Sequence, residues 1–105
     1  MKQYEILISD KASKDMDDIY EYITEKLLAP IAATRQYNRI ADAILSLEEM
    51  PERIKVMNSK PERSIGLRPL IVDNYTVFYV IKGDTVNISR VLYSASDISR
   101  RLAEG

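Results

Sequence analysis

The side chains that could do acid–base chemistry or bind a charged target in this sequence are tyrosines, arginines, lysines and carboxylates, because histidine and cysteine are both absent. Their absence excludes Ser-His and Cys-His nucleophile pairs, disulfides, and zinc sites built from cysteine or histidine. Near the C-terminal end stand Arg90, Tyr93, Arg100 and Arg101. Since arginine and tyrosine often carry interface energy, we name these four, and Arg68, as candidates for binding a target.

The charge is unevenly distributed, although the net charge is only −1. Residues 1–50 contain six Lys/Arg and ten Asp/Glu, whereas residues 51–105 contain nine and six. The basic half is the one expected to meet an acidic partner, although ordinary scatter explains an excess of this size equally well. Asp15, Asp17 and Asp18 form an acidic cluster without further metal ligands, so we expect a solvated first helical turn and no metal or cofactor.

The first half of the chain predicts a strand followed by a helical hairpin. Residues 4–8 alternate like a strand, and Ser9 or Asp10 can cap the helix that follows. Apolar residues then recur at helical spacing in two stripes, which Pro30 separates, and Met50-Pro51 ends the second stripe. The first stripe is Ala12, Met16, Ile19, Ile23 and Leu27, and the second is Ala33, Tyr37, Ile40, Ile44 and Leu47.

The second half predicts three strands, because the apolar spacing becomes strand-like after a polar loop over residues 52–63. The predicted strands cover residues 65–72, 75–81 and 85–93, joined by turns at 73–74 and 82–84. A change of phase in the last strand predicts a bulge near Ser89-Arg90. Ser96 or Asp97 can then cap a short final helix.

These elements predict an α+β fold with the order β-α-α-β-β-β-α, in one domain over residues 1–105. Its architecture would be an antiparallel sheet with the N-terminal helical hairpin packed on one face. No stretch is apolar and long enough to span a bilayer, and residues 1–6 lack the apolar region of a signal peptide. We therefore expect a cytoplasmic protein without membrane contact.

Several short motifs follow one another on the predicted elements: Leu47 to Pro51, Gly66-Leu67-Arg68, Tyr75 to Tyr79, Ile88 to Tyr93, and Asp97-Ile98. Together, and in this order, they resemble the RelE/ParE superfamily of type II toxin–antitoxin toxins, also called plasmid-stabilisation proteins. The ParE branch is the more similar one, and the resemblance covers nearly the whole chain.

The resemblance implies one of two activities, each silenced by a cognate antitoxin in a toxin–antitoxin hetero-oligomer. ParE-like toxins inhibit DNA gyrase by binding, whereas RelE-like toxins cleave mRNA on the ribosome. RelE-like ribonucleases are similar in having an Arg early in the third strand and acid–base residues at the end of the fourth. Here Thr76 stands at the first position, and of the second set only Tyr93, with Arg90 upstream, suits catalysis.

A sequence pI of about 5.5 also differs from the basic character expected of a ribosome-binding toxin. We therefore expect a binding toxin, not an enzyme, with DNA gyrase as its target. An endoribonuclease acting on ribosome-bound mRNA is the alternative, and a non-toxic relative that only binds an antitoxin is a further one.

The face of the sheet opposite the helices, together with the groove beside the helical hairpin, is the antitoxin surface that the resemblance implies. Leu70, Val72, Phe78 and Val80 are the candidates for it, although the same residues could form the core, because the sequence does not determine which face is exposed. Arg68 has a structural alternative, in which it pairs with Asp97 or a helix carboxylate and holds the hairpin to the tail.

Overall fold

The computed structural model of this protein describes residues 2–104. In chain order, the elements are β1 (Glu5–Ile8), α1 (Asp10–Glu21), a π-helical turn (Tyr22–Lys26), α2 (Pro30–Leu45), two 3₁₀ turns (Ser46–Glu48 and Pro51–Arg53), β2 (Arg68–Val72), β3 (Tyr75–Lys82), β4 (Thr85–Tyr93) and α3 (Ile98–Ala103). This order confirms the α+β class and the predicted succession β-α-α-β-β-β-α. None of the helices within residues 2–104 has the length and apolar character needed to cross a membrane.

The strands form a sheet in the order β1-β4-β3-β2. The pairs β2–β3 and β3–β4 are antiparallel, as predicted. However, β1 lies parallel to β4, with Glu5 opposite Thr85 and Ile8 opposite Ile88, so the sheet is mixed. Apolar alternation indicates a strand but not its neighbour, and most of the chain separates β1 from β4, which leaves room for a parallel pairing.

The β3–β4 hairpin contains the predicted bulge. Phe78 lies opposite Arg90, but the next residue, Tyr79, lies opposite Ile88. Ser89 is therefore the extra residue of β4, which confirms the bulge predicted near Ser89-Arg90. A bulge changes the direction of the side chains that follow it, and here these are the residues that carry the candidate functional site.

The helices begin where the sequence predicts. The Oγ of Ser9 accepts a hydrogen bond from the backbone N–H of Ala12 at 3.0 Å, and Pro30 is the first residue of α2. Most stripe residues are buried, namely Ala12, Met16, Ile23, Ala33, Ile40, Ile44 and Leu47. Leu27 and Tyr37 are exposed instead. Leu27 follows the π-helical turn, whose wider hydrogen-bonding pattern moves it off the α-helical stripe.

The main core lies between the helical hairpin and one face of the sheet, and Tyr79 is its largest fully buried side chain. The Tyr79 hydroxyl donates a hydrogen bond to the backbone carbonyl of Pro51 at 2.6 Å, which links β3 to the segment after α2. Burial raises the pKa of the Tyr79 phenol, because the charged form would lose its hydration.

We expect the substitution Tyr79→Phe to lower the free energy of unfolding by about 1–2 kcal/mol, because it leaves the buried Pro51 carbonyl without its donor while the ring packing stays. Urea unfolding followed by circular dichroism measures this change. Tyr37→Phe is the matched control, since Tyr37 is exposed on α2, and its effect should stay below about 0.5 kcal/mol. Equal effects of the two substitutions would contradict the role given to the Tyr79 hydroxyl.

A smaller apolar cluster covers part of the opposite face of the sheet. Leu67, Phe78 and Leu92 are buried in it. The loop before β2 and helix α3 supply further members, including Met57 and Leu102. The sequence predicted this face to be open, whereas the loop and α3 fold over its centre.

Candidate functional site

Arg90, a candidate for binding a target, forms a buried ion pair with Asp15 of α1. Its Nε and Nη2 atoms donate to the two carboxylate oxygens of Asp15 at 2.7 and 2.9 Å, and its Nη1 donates to the backbone carbonyl of Arg101 at 3.1 Å. The two side chains are only 13% and 8% exposed. The hydrogen bonds to Asp15 raise the pKa of the Arg90 guanidinium, against the opposing effect of burial. Through these contacts Arg90 links β4 to both α1 and α3.

The position of Asp15 corrects the prediction of a solvated acidic cluster. Asp17 and Asp18 are exposed, but Asp15 is buried, and its Oδ2 also accepts the backbone N–H of Val91 at 3.0 Å. The sequence did contain a signal, because residue 15 follows Ala12 by three positions and so shares the buried face of α1. A carboxylate on a buried helical face requires a partner, and Arg90 is the one it has.

Arg68 does not pair with Asp97 or with a helix carboxylate, so that prediction is wrong. Its Nη1 donates instead to the backbone carbonyls of Glu52 and Ile54, at 3.3 and 2.5 Å. The reason is the register of β2, which places Arg68 opposite Tyr79, on the face that meets the segment after α2. Asp97 caps α3, where its side chain accepts the backbone N–H of Arg100.

Tyr93 and Arg101 line one open cavity of about 630 Å³, between α1, the π-helical turn, the open end of the β3–β4 pair and α3. We call this cavity the tyrosine groove, and it is defined by Asp18, Tyr22, Leu27, Tyr75, Tyr93 and Arg101. Residues from both halves of the chain meet here, which sequence spacing alone does not reveal.

Tyrosine rings dominate the groove. The rings of Tyr75 and Tyr93 meet edge to face, with their centroids 5.8 Å apart. Burial raises the pKa of the Tyr75 phenol, and the neighbouring Tyr93 and Tyr22 phenols add to the shift. Tyr93 itself remains 50% exposed. A half-exposed ring held by a second ring suits recognition, because little conformational entropy is lost when a partner covers it.

The two arginines of α3 differ in position. Arg101 lines the tyrosine groove and is partly buried, whereas Arg100 is exposed and does not line it. Both approach the carboxylate of Glu104 at 3.9 Å, a distance that makes weak surface ion pairs. The structure therefore brings Tyr93 and Arg101 together, with Arg90 behind them, and leaves Arg68 and Arg100 elsewhere.

Sequence reasoning did not name Tyr22 as a site residue. Tyr22 lies off the buried stripe of α1, so an exposed aromatic at that position was the available signal. Tyr75 packs partly against the main core, while its ring also meets that of Tyr93 edge to face.

Two of the residues at the positions considered for RNA cleavage already have partners of their own. The Arg90 guanidinium is paired with Asp15, whereas Arg101 is the arginine that lies in the groove with Tyr93. Thr76, at the third-strand position, shares a hydrogen bond of 2.7 Å with the hydroxyl of Ser94. Of the two residues named for catalysis, Tyr93 is half exposed and Arg90 is largely buried.

The four candidates for antitoxin binding do not share one face. Leu70 and Val72 face the helices, and Val72 is buried in the main core. Phe78 is buried in the smaller cluster on the other face, against which Val80 packs. The large exposed apolar side chains lie elsewhere. Tyr22, Leu27, Leu28 and Ile31 are exposed at the tip of the helical hairpin, and Ile71 is exposed on β2.

Comparison with known proteins supports the fold and identifies the family. Residues 6–98 match the model of the ParE toxin of type II toxin–antitoxin systems, parDE. No curated protein sequence matches the chain.

The solved structures that are similar in fold include two from toxin–antitoxin systems. A chain of the chromosomal ParDE toxin–antitoxin system from P. aeruginosa has a TM-score of 0.72 at 21% identity, with 87% of this chain and 96% of that chain covered. A chain of the toxin–antitoxin complex RelBE2 from Mycobacterium tuberculosis has a TM-score of 0.61 at 18% identity, with 87% and 98% covered. The match to the family model spans most of the sequence, from β1 to the start of α3, and on that basis this chain belongs to the ParE toxin family of type II toxin–antitoxin systems.

Proposed function

We propose that this protein is a toxin that inhibits DNA gyrase in the cytoplasm by binding, without a hydrolytic step, and that a cognate antitoxin neutralises it. The observation that carries the proposal is the Asp15–Arg90 pair. It engages Arg90, the arginine named as a candidate for RNA cleavage, so that its guanidinium is already paired with a carboxylate. What remains exposed nearby, the tyrosine groove with Tyr93 and Arg101, has the composition of a protein-binding surface.

For the antitoxin, the exposed apolar side chains support a large protein partner. Leu28 is 82% exposed and Ile31 is 71% exposed at the tip of the helical hairpin. A contiguous apolar patch on a soluble protein is typical of an interaction site. Both similar structures come from toxin–antitoxin systems, which is consistent with a hetero-oligomer in which an antitoxin covers such surfaces.

Induced expression in a bacterial host tests the proposal. We expect filamentous cells with damaged DNA, which co-expression of the antitoxin prevents, and no early loss of translation. Rapid arrest of translation with cleaved mRNA would instead support the ribonuclease alternative. Normal growth at a confirmed protein level would support a non-toxic relative that only binds an antitoxin.

A further inference from the structure

A second cavity, of about 450 Å³, lies between the start of α1, the bulge of β4, the loop before β2 and α3. We call it the Glu62 cavity, and it is defined by Lys60, Glu62, Ile65, Leu67, Ser89 and Leu102, with Asp10, Lys11 and Arg90 also in its lining. Of these further residues, Arg90 is held by Asp15, and Lys11 donates a hydrogen bond to the backbone carbonyl of Glu104. Ile65, Leu67 and Leu102 make much of its wall apolar. It shares none of these residues with the tyrosine groove.

Glu62 is the unusual member of this cavity. Its side chain is only 5% exposed, although Glu is a residue type that is rarely buried without a partner. Within residues 2–104, no group donates a hydrogen bond to its buried Oε2 atom. By comparison, the other buried carboxylate, Asp15, accepts from both Arg90 and Val91. A buried carboxylate oxygen without a donor is destabilising, and an incoming donor would remove that cost.

We propose that the Glu62 cavity binds an arginine or lysine side chain of a partner protein, with its aliphatic stem against Leu67 and Leu102 and its terminal cation at the Glu62 carboxylate. The chemistry follows from the lining, because long basic side chains combine an apolar stem with a donor-rich, positively charged end. The site would therefore recognise a basic residue in a partner segment. This inference does not depend on the identity of the toxin's target.

A side chain from a protein fits this cavity better than a free amine does. The apolar wall continues outward to Ile65, which is 60% exposed at the rim. A partner segment that inserts one basic side chain also covers this rim, whereas a small amine leaves it in water. Lys60 also lines the cavity, is exposed, and carries the same charge as the proposed occupant, so it should weaken binding.

The test is an NMR titration of the ¹⁵N-labelled protein with small probes of matched size. Butylguanidinium should produce saturable shifts in the backbone signals of Glu62, Leu67 and Leu102, whereas butyrate should not. The capped peptide acetyl-Ala-Arg-Ala-amide should bind more tightly than butylguanidinium, and its Gln analogue should fail to bind. Equal binding of butyrate, or a Gln peptide as effective as the Arg peptide, would overturn the proposal.

Three variants complete the design. Glu62→Gln keeps the shape and removes the charge, and it should weaken binding of the Arg peptide about tenfold or more. Ile65→Ala alters only the exposed rim, so the fold should persist. It should weaken binding of the Arg peptide more than binding of butylguanidinium. Lys60→Ala should strengthen both. The cation site would be refuted if Glu62→Gln bound the Arg peptide with unchanged affinity while the signals outside the cavity stayed unshifted. Weaker binding by Lys60→Ala would refute it as well.

Discussion

Replacing Arg90 with Met should lower the free energy of unfolding by about 3 kcal/mol or more, because it leaves the Asp15 carboxylate buried without its cation. Asp15 is only 8% exposed, so its carboxylate has little access to water. The substitution also removes the hydrogen bond to the Arg101 carbonyl, which helps to hold α3 against β4. Denaturant unfolding measures the effect, and proteolysis near α3 reports whether the tail loosens.

The double variant Asp15→Leu with Arg90→Met provides the thermodynamic control. It removes both charges, so its loss should be smaller than the sum of the two single losses. The double variant also loses the hydrogen bond that the Val91 N–H donates to Asp15 at 3.0 Å, and this loss would account for the remaining destabilisation. Lys14→Ala serves as the comparison for an ion pair on the surface. It removes the largely exposed pair of Lys14 with Asp18, which should contribute less than about 1 kcal/mol to stability. A loss from Arg90→Met no larger than that from Lys14→Ala would contradict the structural role of the buried pair.

Substituting Tyr93 with Ala should weaken target binding by about ten- to a hundredfold, while stability changes little. Tyr93 is half exposed and rests on Tyr75, so truncation removes contact area from the tyrosine groove without opening the core. Tyr93→Phe keeps the ring and should retain most of the binding. A titration of inhibition against toxin concentration measures both effects.

Tyr20→Ala is the matched control for this prediction. Tyr20 also forms an edge-to-face pair with another tyrosine, Tyr37, at 6.2 Å, but it lies on the helical hairpin and does not line the groove. Equal losses in Tyr20→Ala and Tyr93→Ala would show that the groove has no special part in binding. A complete loss in Tyr93→Phe would indicate instead that the hydroxyl takes part in chemistry.

The sequence was sufficient to predict the order of elements, both helix starts, the bulge and the family, because each depends on local spacing or on short motifs. It could not determine that β1 pairs with β4, since a strand pattern carries no information about its neighbour. Nor could it show that α3 and the loop before β2 cover part of the second sheet face. That packing buries Phe78, whereas Val72 is buried on the other face against the helical hairpin, so Leu70, Val72, Phe78 and Val80 do not form one accessible surface.

The candidate site was predicted less completely than the fold. Arg90 and Tyr93 were identified as neighbours in a motif, but their different roles depend on Asp15, which lies 75 residues away from Arg90 in sequence. Tyr22 reaches the groove only because α1 continues into the π-helical turn. Long-range contacts of this kind require the three-dimensional structure, since neither composition nor periodicity relates α1 to the end of β4.

The most direct test of the proposed function uses the purified protein and purified DNA gyrase in a supercoiling reaction. We predict that the wild-type toxin inhibits supercoiling and increases the amount of cleaved DNA, that Tyr93→Ala does so about ten- to a hundredfold less effectively, and that Tyr20→Ala matches the wild type. Gyrase that is unaffected by the wild-type protein, together with cleavage of ribosome-bound mRNA by the same preparation, would contradict the account.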